Sequence, residues 1–500
     1  MTELKDTRAD LLIRAARLID GLGGGSATAD VAVRGERIVA LGDLSGWRAG
    51  VEIDARGKAL APGFIDVHTH DDRMLLADPL AACKVSQGVT TVITGNCGIS
   101  LAPLAIDRRP PAPLDLIVET PAQFHATFAS YLDALDAAPA ALNAACLVGH
   151  TTLRVGAMSD LGRPANADEI ARMRAALEAA LEAGAIGLST GLYYPPANAA
   201  STDEVIALVK AVHAAGGVHA THMRDESDDV LESLEETFAI GRAARVPVVI
   251  SHHKCAGHTN HGRSRETLAA IEAARERQPV GLDVYPYVAG STMLHVLPWS
   301  RASRTVVAWS GARADAAGRD LDEIAAEMNC TAEEAIERLQ PATGIYFMMD
   351  EGDVRNILAN PHAMIGSDGL PHDVHPHPRL WGTFPRVLGH YARELGLFSL
   401  EEAVRKMTSL PARQFGLADR GVVREGAYAD LVLFDPETVI DRASFERPIA
   451  PAAGIETVIV NGRVVWRDGA STGERPGRAL RRQQLDLPRY DAAAAPTMNA

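Results

Sequence analysis

Between residues 63 and 368 the chain alternates short apolar runs with amphipathic stretches, eight times over. The runs are GFIDVHTH (63–70), VTTVITGN (89–96), AACLVGH (144–150), AIGLSTG (185–191), VHATHM (218–223), VPVVISHHK (246–254), VGLDVYPY (280–287) and AMIGSD (363–368). The text between them, such as ADEIARMRAALEAALEAG, has the apolar period of a helix. A strand without polar alternation must be covered on both faces, which indicates a parallel sheet layered with helices. Eight such units favour closure into a TIM-type (β/α)8 barrel over an open sheet.

A barrel takes roughly 250 residues, and this chain has 500. Both ends read differently from the middle. DVAVRGERIVALGD alternates apolar positions around a Gly35-Glu36 turn, YADLVLFDP is a buried-strand run, and TVIVNGRVVWRDG is a hairpin turning at Asn461-Gly462. The expected organisation is therefore an α/β barrel with a small β-sandwich domain formed by both chain ends. Residues 1–61 and 416–480 build the sandwich, and 62–415 form the barrel. A loosely ordered tail is expected after about 475, with 481–500 outside both domains. One stretch, about 289–361, interrupts the rhythm between the seventh and eighth runs and is a candidate lid.

Charge and composition narrow the function. The formal charge is −15, with no Lys/Arg run before the C-terminal tail. That argues against nucleic acid or an anionic membrane as a partner. The polar N-terminus MTELKDTRAD lacks the apolar core of a secretory signal, and no segment approaches a membrane span. Five scattered cysteines suit a reducing, cytoplasmic setting rather than a disulfide framework.

Nearly every run ends in a residue able to ligate a metal or move a proton: His68 and His70, Cys97, His150, Ser189, His222, His252 with Lys254, Tyr285, and Asp368. Taken singly, each is most often a hydrogen-bonded structural residue. Repetition at one end of eight strands is what a structural barrel has no need of, and that rim is where barrel active sites form. His68 and His70, two apart on a strand, would face the same way. With His222 and His252 they make a candidate metal cluster, and a Cys97 thiolate favours zinc over magnesium or calcium. Asp368 could take a proton from an activated water. Lys254 is costly to bury without an anion beside it. Cys83, Cys146, Cys255 and Cys330 read as small core residues. His253 reads as structural, and His258, His261, His372, His375 and His377 as solvated loop residues.

The segments APGFIDVHTHDD, TTVITGNCGIS, STGLYYPP, THMRDE, SHHKCAG, DVYPYVAGSTML, IGSDG, HPHPR and MTSLPARQFGLADRG occur in an order that resembles the D-aminoacylase (N-acyl-D-amino-acid deacylase) branch of the amidohydrolase superfamily. GFIDVHTH marks only the superfamily, whereas GNCG with SHHK and DVYPY is far more specific. The resemblance implies a zinc enzyme acting on a small N-acyl-D-amino acid. It implies a tight zinc on Cys97, His222 and His252. A second site, weak or empty, would use His68 and His70 and share Cys97. Relatives that bridge two metals with a carbamylated lysine take it from the fourth strand, and AIGLSTG offers none. Asp368 would accept the water's proton and return it to the leaving amine. Lys254, Tyr285 and Arg379 would clamp the α-carboxylate, and Tyr194 would reach the carbonyl or that carboxylate. Ser291 and its neighbours in GSTMLHVLPW, with Met348 and Met349, would line the side-chain pocket and favour apolar substrates. His295 or Arg301 leaves an acidic preference open. Hydrolysis of cyclic amides or D-containing dipeptides is an alternative, as is a barrel that only binds ligands. The sequence leaves the oligomeric state open.

Overall fold

The computed structural model describes residues 7–488 and 490. Its parallel strands follow one another in chain order. Phe64–Asp66 pairs with Val89–Thr94, which pairs with Asn143–Cys146. One residue on, Val148–Gly149 pairs with Gly187–Gly191. Val218–His222, Val248–Ile250, Val280–Val284 and Ala363–Ile365 continue the series, each parallel to the last. A parallel bridge between Thr69 and Gly369 links the first of these segments to the last.

Two cores explain why these runs are apolar throughout. Ile65, Val67, Ile93, Leu147, Ile186, Val249 and Met364 meet in one cluster. Their sequence neighbours, among them Phe64, Val92, Leu188 and Val248, face a second cluster shared with the helices. The helices begin and end where their caps dictate. Ala167–Ala183 starts at an Asn166/Glu169 capping box, and Thr202–Ala215 starts at Ser201 and stops at Gly216, whose φ of 70° suits glycine.

The strands are shorter than expected, and the difference falls at the site. The first ends at Asp66, the sixth at Ile250 and the eighth at Ile365. His68, His70, His252 and Asp368 therefore lie beyond the regular strands, not on them. The ladder stops because the chain turns sharply: Cys97, His252 and Asp368 adopt φ of 52°, 36° and 52°. Non-glycine residues rarely do so, and such strain collects at functional sites. A buried lysine fixes the same rim. Lys84 Nζ lies 2.8 Å from Asp66 Oδ2, 2.8 Å from Ser367 Oγ and 3.2 Å from Asp71 Oδ2, all without solvent contact.

Strands from both chain ends share a nine-stranded sheet. Ala59–Pro62 pairs with Leu431–Phe434, and Ile455–Val460 forms the expected hairpin with Arg463–Arg467 through Asn461 and Gly462, at φ 47° and 76°. The strand Arg8–Leu18 is irregular between Ile13 and Ala16; its first part pairs with Arg48–Asp54 and its end with Ala59–Pro62.

Two segments differ from expectation. The expected loose tail is packed as far as it is described: Ala479 bridges to Ala144, and Leu480 and Leu487 join Ile65 and Val67 in the inner core. These leucines give the tail an apolar anchor that its Arg- and Ala-rich composition conceals. The remainder of the tail, 489 and 491–500, lies outside the described residues. In the insertion, Ala289–Met293, Ala342–Phe347 and Arg304–Ser310 form an antiparallel sheet with its own core around Leu294, Val307 and Ile324. Helix Glu351–Ala359 instead packs on the seventh and eighth parallel strands.

Candidate metal centre and active site

The turns beyond the strands bring the expected ligands together. Cys97 Sγ lies 3.2 Å from both His68 Nε2 and His252 Nε2, and His252 Nε2 lies 3.0 Å from His222 Nδ1. Asp368 Oδ1 is 3.5 Å from His68 Nε2 and 3.2 Å from His70 Nε2. Two donor groups result, each with its ligand atoms within 4.8 Å of one another: His68, Cys97, His252 and Asp368, and His222, Glu226 and His252. Bond lengths of about 2.0–2.3 Å in a tetrahedral site place ligand atoms about 3.3–3.8 Å apart. The spacing here, 3.0–3.5 Å, fits a divalent transition metal. So does the donor chemistry of buried thiol, imidazoles and carboxylate.

The surroundings prepare these groups. Burial pushes the Cys97 thiol up, but His68 and His252 outweigh it and hold it well below its ordinary value. Burial likewise opposes ionisation of Asp368, yet Arg379, His252 and His68 keep the carboxyl well below the usual range. A second layer orients the imidazoles. His252 Nδ1 meets Glu226 Oε1 at 2.9 Å, its backbone N–H donates to Asp283 Oδ1 at 2.9 Å, and His68 Nδ1 lies 3.4 Å from Asp283. Such partners fix tautomer and ring angle.

Two residues of the expected rim lie apart from the cluster. His150 opens the helix His150–Ala157 and binds Glu204 at 3.1 Å, because Arg154 and Glu204 form a buried network behind the site. Ser189 accepts from the Gly98 N–H at 3.0 Å and donates to the Gly95 carbonyl, and so braces the Cys97 turn. His253 is structural as expected, bonded to Thr267 at 2.8 Å. His377 is buried, not solvated. It lies 2.9 Å from the Ala289 carbonyl, packs against Tyr287 and Phe445, and accepts from the Arg379 N–H at 3.0 Å. All five cysteines are free, and the four outside the cluster are buried or half-buried.

A cleft of about 690 Å³ opens over the cluster. Lys254, Tyr285, Arg379, Tyr194 and Ser291 all line it. Lys254 Nζ sits 2.8 Å from each Glu226 oxygen. Arg379, fully buried, pairs with Asp368 at 2.9 Å, donates to the Ser291 carbonyl at 3.1 Å and lies over the Tyr285 ring at 4.6 Å. Tyr194 bonds Thr292 at 3.1 Å. Met349 faces a separate small cavity with His253 and Tyr287; its neighbour Met348 lines the cleft, because successive residues point opposite ways.

Four residues escaped sequence reasoning. Glu226 sits among acids in RDESDD, where nothing sets it apart. Asp283 had a readable signal, being a charge inside the buried run VGLDV. Tyr193 stacks on His222 at 5.4 Å, and Leu116 reaches the cleft from a long segment after the second strand.

Parallel strands crowned by a thiolate–imidazole–carboxylate cluster define a metal-dependent hydrolase. A family model described as "Amidohydrolase family" matches residues 51–350 and 294–466. A D-aminoacylase from Alcaligenes xylosoxydans xylosoxydans is 58% identical over 473 residues, covering 95% of this chain and 98% of that protein. An N-acyl-D-aspartate deacylase from the same organism is 55% identical over 475 residues, covering 95% of each. The crystal structure of N-acyl-D-glutamate deacylase from Bordetella bronchiseptica, complexed with zinc and a phosphonate inhibitor that mimics the tetrahedral intermediate, matches with a TM-score of 0.92 and 46% identity, covering 95% of this chain and all of that one. The chain belongs to the amidohydrolase family and, within it, to the D-aminoacylase group.

Proposed function

We propose that this protein hydrolyses the amide bond of N-acyl-D-amino acids, yielding a D-amino acid and a carboxylate. The observation that carries this reading is that His222, His252, Asp368 and the cations Lys254 and Arg379 line one cleft, with Cys97 directly behind it at 3.2 Å from His252. Relatives named for D-aminoacylase and N-acyl-D-aspartate deacylase activity match nearly the whole chain. Zinc is the metal that one thiolate and two imidazoles suit, held tightly by Cys97, His222 and His252. His68 and His70, sharing Cys97, offer a second and weaker site. The metal supplies Lewis acidity at the amide carbonyl and a more acidic water.

The chain's own residues do the rest. Asp368, facing the cleft beside the cluster, takes the water's proton and passes it to the departing amine nitrogen. Lys254, Arg379 and Tyr285 hold the α-carboxylate, and Tyr194 closes the wall opposite. Fixing carboxylate and carbonyl together leaves one hand at Cα whose side chain avoids the cleft wall, and the relatives' names make that hand D. Arg301 already donates to Ser227 and Asp228. Met348 and Pro298 line the cleft beside it, and an apolar side chain against them is the preferred substrate.

The architecture is read as a closed (β/α)8 barrel carrying the 289–361 insertion, with a β-sandwich built from residues 1–61 and 416–480. Sequential parallel pairing, the Thr69–Gly369 bridge and the inner core support the barrel. Five free cysteines suit the cytoplasm, and no helix among the described residues is long and apolar enough to cross a membrane.

A panel of N-acetyl-D-leucine, -methionine, -glutamate and -aspartate with their L enantiomers tests the reading. Turnover is expected for D substrates alone, fastest with leucine or methionine, and abolished by a chelator. Equal turnover of L substrates would contradict the clamp. Silence across the panel would favour cyclic amides or D-containing dipeptides.

A further inference from the structure

The cleft is lined by two unlike sets of residues. The insertion contributes Thr292, Pro298, Arg301 and Met348. Leu116 and Leu370 line the cleft too, together with His70 and Asp368. Leu370 follows Asp368 by two residues. Leu116 belongs to the short turn Leu114–Leu116, seated by Leu114 and Ile117, neither of which is exposed. Arg73, three residues past His70, ties the parts together. It binds Glu119 at 2.8 Å and donates from Nε to His372 Nε2 at 3.1 Å. One guanidinium thus joins the Leu116 segment, the His70 turn and the loop after Leu370.

In a linear N-acyl amino acid with a trans amide, the acyl chain and the Cα lie on opposite sides of the C–N bond. If the carboxylate meets Lys254, Tyr285 and Arg379, the side chain lies toward the insertion. The acyl chain, on the far side of the amide, needs a separate wall, and Leu116 and Leu370 are the two leucines of the cleft lining. We propose that Leu116 and Leu370 form an acyl-chain subsite that takes linear aliphatic acyl groups. Leu116, half-buried at the rim, flanks chains longer than acetyl. Neither leucine offers a polar partner, so a charged acyl group such as succinyl is disfavoured. The inference rests on the N-acyl-D-amino-acid reading above.

The test compares kcat/KM for N-acetyl-, N-butanoyl-, N-hexanoyl- and N-succinyl-D-leucine, and for N-acetyl-D-alanine, in wild type, Leu116→Ala and Leu116→Met. Lost apolar contact shifts such ratios by 10-fold or more, so Leu116→Ala is expected to lower the hexanoyl-to-acetyl ratio by roughly tenfold. Leu116→Met, which keeps apolar surface, retains that ratio, and the leucine-to-alanine ratio on acetyl substrates stays unchanged in both variants. The proposal is overturned if Leu116→Ala leaves the acyl ratio unchanged, if the leucine-to-alanine ratio moves instead, or if wild type prefers succinyl over butanoyl. Failure of the functional reading is distinguishable, since wild type would then turn over none of the panel.

Discussion

Cys97 and Asp368 both follow their strands in the left-handed region, and the proposed chemistry gives each a separate part. Cys97→Ala removes the atom that lies 3.2 Å from two imidazoles. It is expected to lower metal content and activity together, read by elemental analysis and turnover on one sample; full activity without metal would refute the ligand assignment. Asp368→Ala should keep the metal on Cys97, His222 and His252, and should keep the fold. Its kcat is expected to fall by about 10²–10⁴-fold, the usual worth of a positioned acid–base group. An unchanged kcat would move the proton transfer to another residue.

Lys84 works at the scale of elements, because its partners come from the end of the first parallel strand and from the turns that follow the first and the last. Asp66 and Asp71 flank the His68–His70 turn, and Ser367 precedes Asp368. Removing one partner of a buried ion pair typically costs about 3–5 kcal/mol, because the other charge is stranded. Lys84→Met is therefore expected to destabilise by about that amount in denaturant unfolding, and adding Asp66→Asn should restore part of it. No recovery in the double variant would mean that the cost is packing, not charge. These elements also show what a sequence can reveal. The eight apolar runs were legible because burial on both faces leaves no polar alternation. Their ends were not, because the turns at Cys97, His252 and Asp368 are held by contacts with distant strands. Glu226 and Leu116 stayed hidden for the same reason: each reaches the site across the fold from text that has no period. The packed tail was masked by its composition, and His377 by its loop position, though Tyr287 and Phe445 cover it.

Over the whole molecule, buried titratable groups set the response to acid. Burial pushes Glu204 up, but His150 and Arg154 outweigh it and bring it down to about 2 from an ordinary 4.5. A depressed carboxyl stabilises the fold above about 4.5, and that contribution is lost as pH falls toward 2. His219, pushed down to about 3 from 6.5 by burial, stays neutral in the fold, so protonation of the unfolded chain erodes stability below about 6.5. Both act in one direction. The difference in unfolding free energy between wild type and Glu204→Gln is expected to shrink as pH falls from about 4.5 toward 2; a difference that stays constant over that range would contradict the buried network.

The central claim is a single tight catalytic zinc in a D-specific hydrolase, and metal titration tests it most directly. Protein stripped with a chelator is titrated with zinc while N-acetyl-D-leucine hydrolysis is followed. No activity is expected without metal and full activity at one equivalent, with no gain from a second. Activity that survives stripping, or that appears only at two equivalents, would contradict the claim.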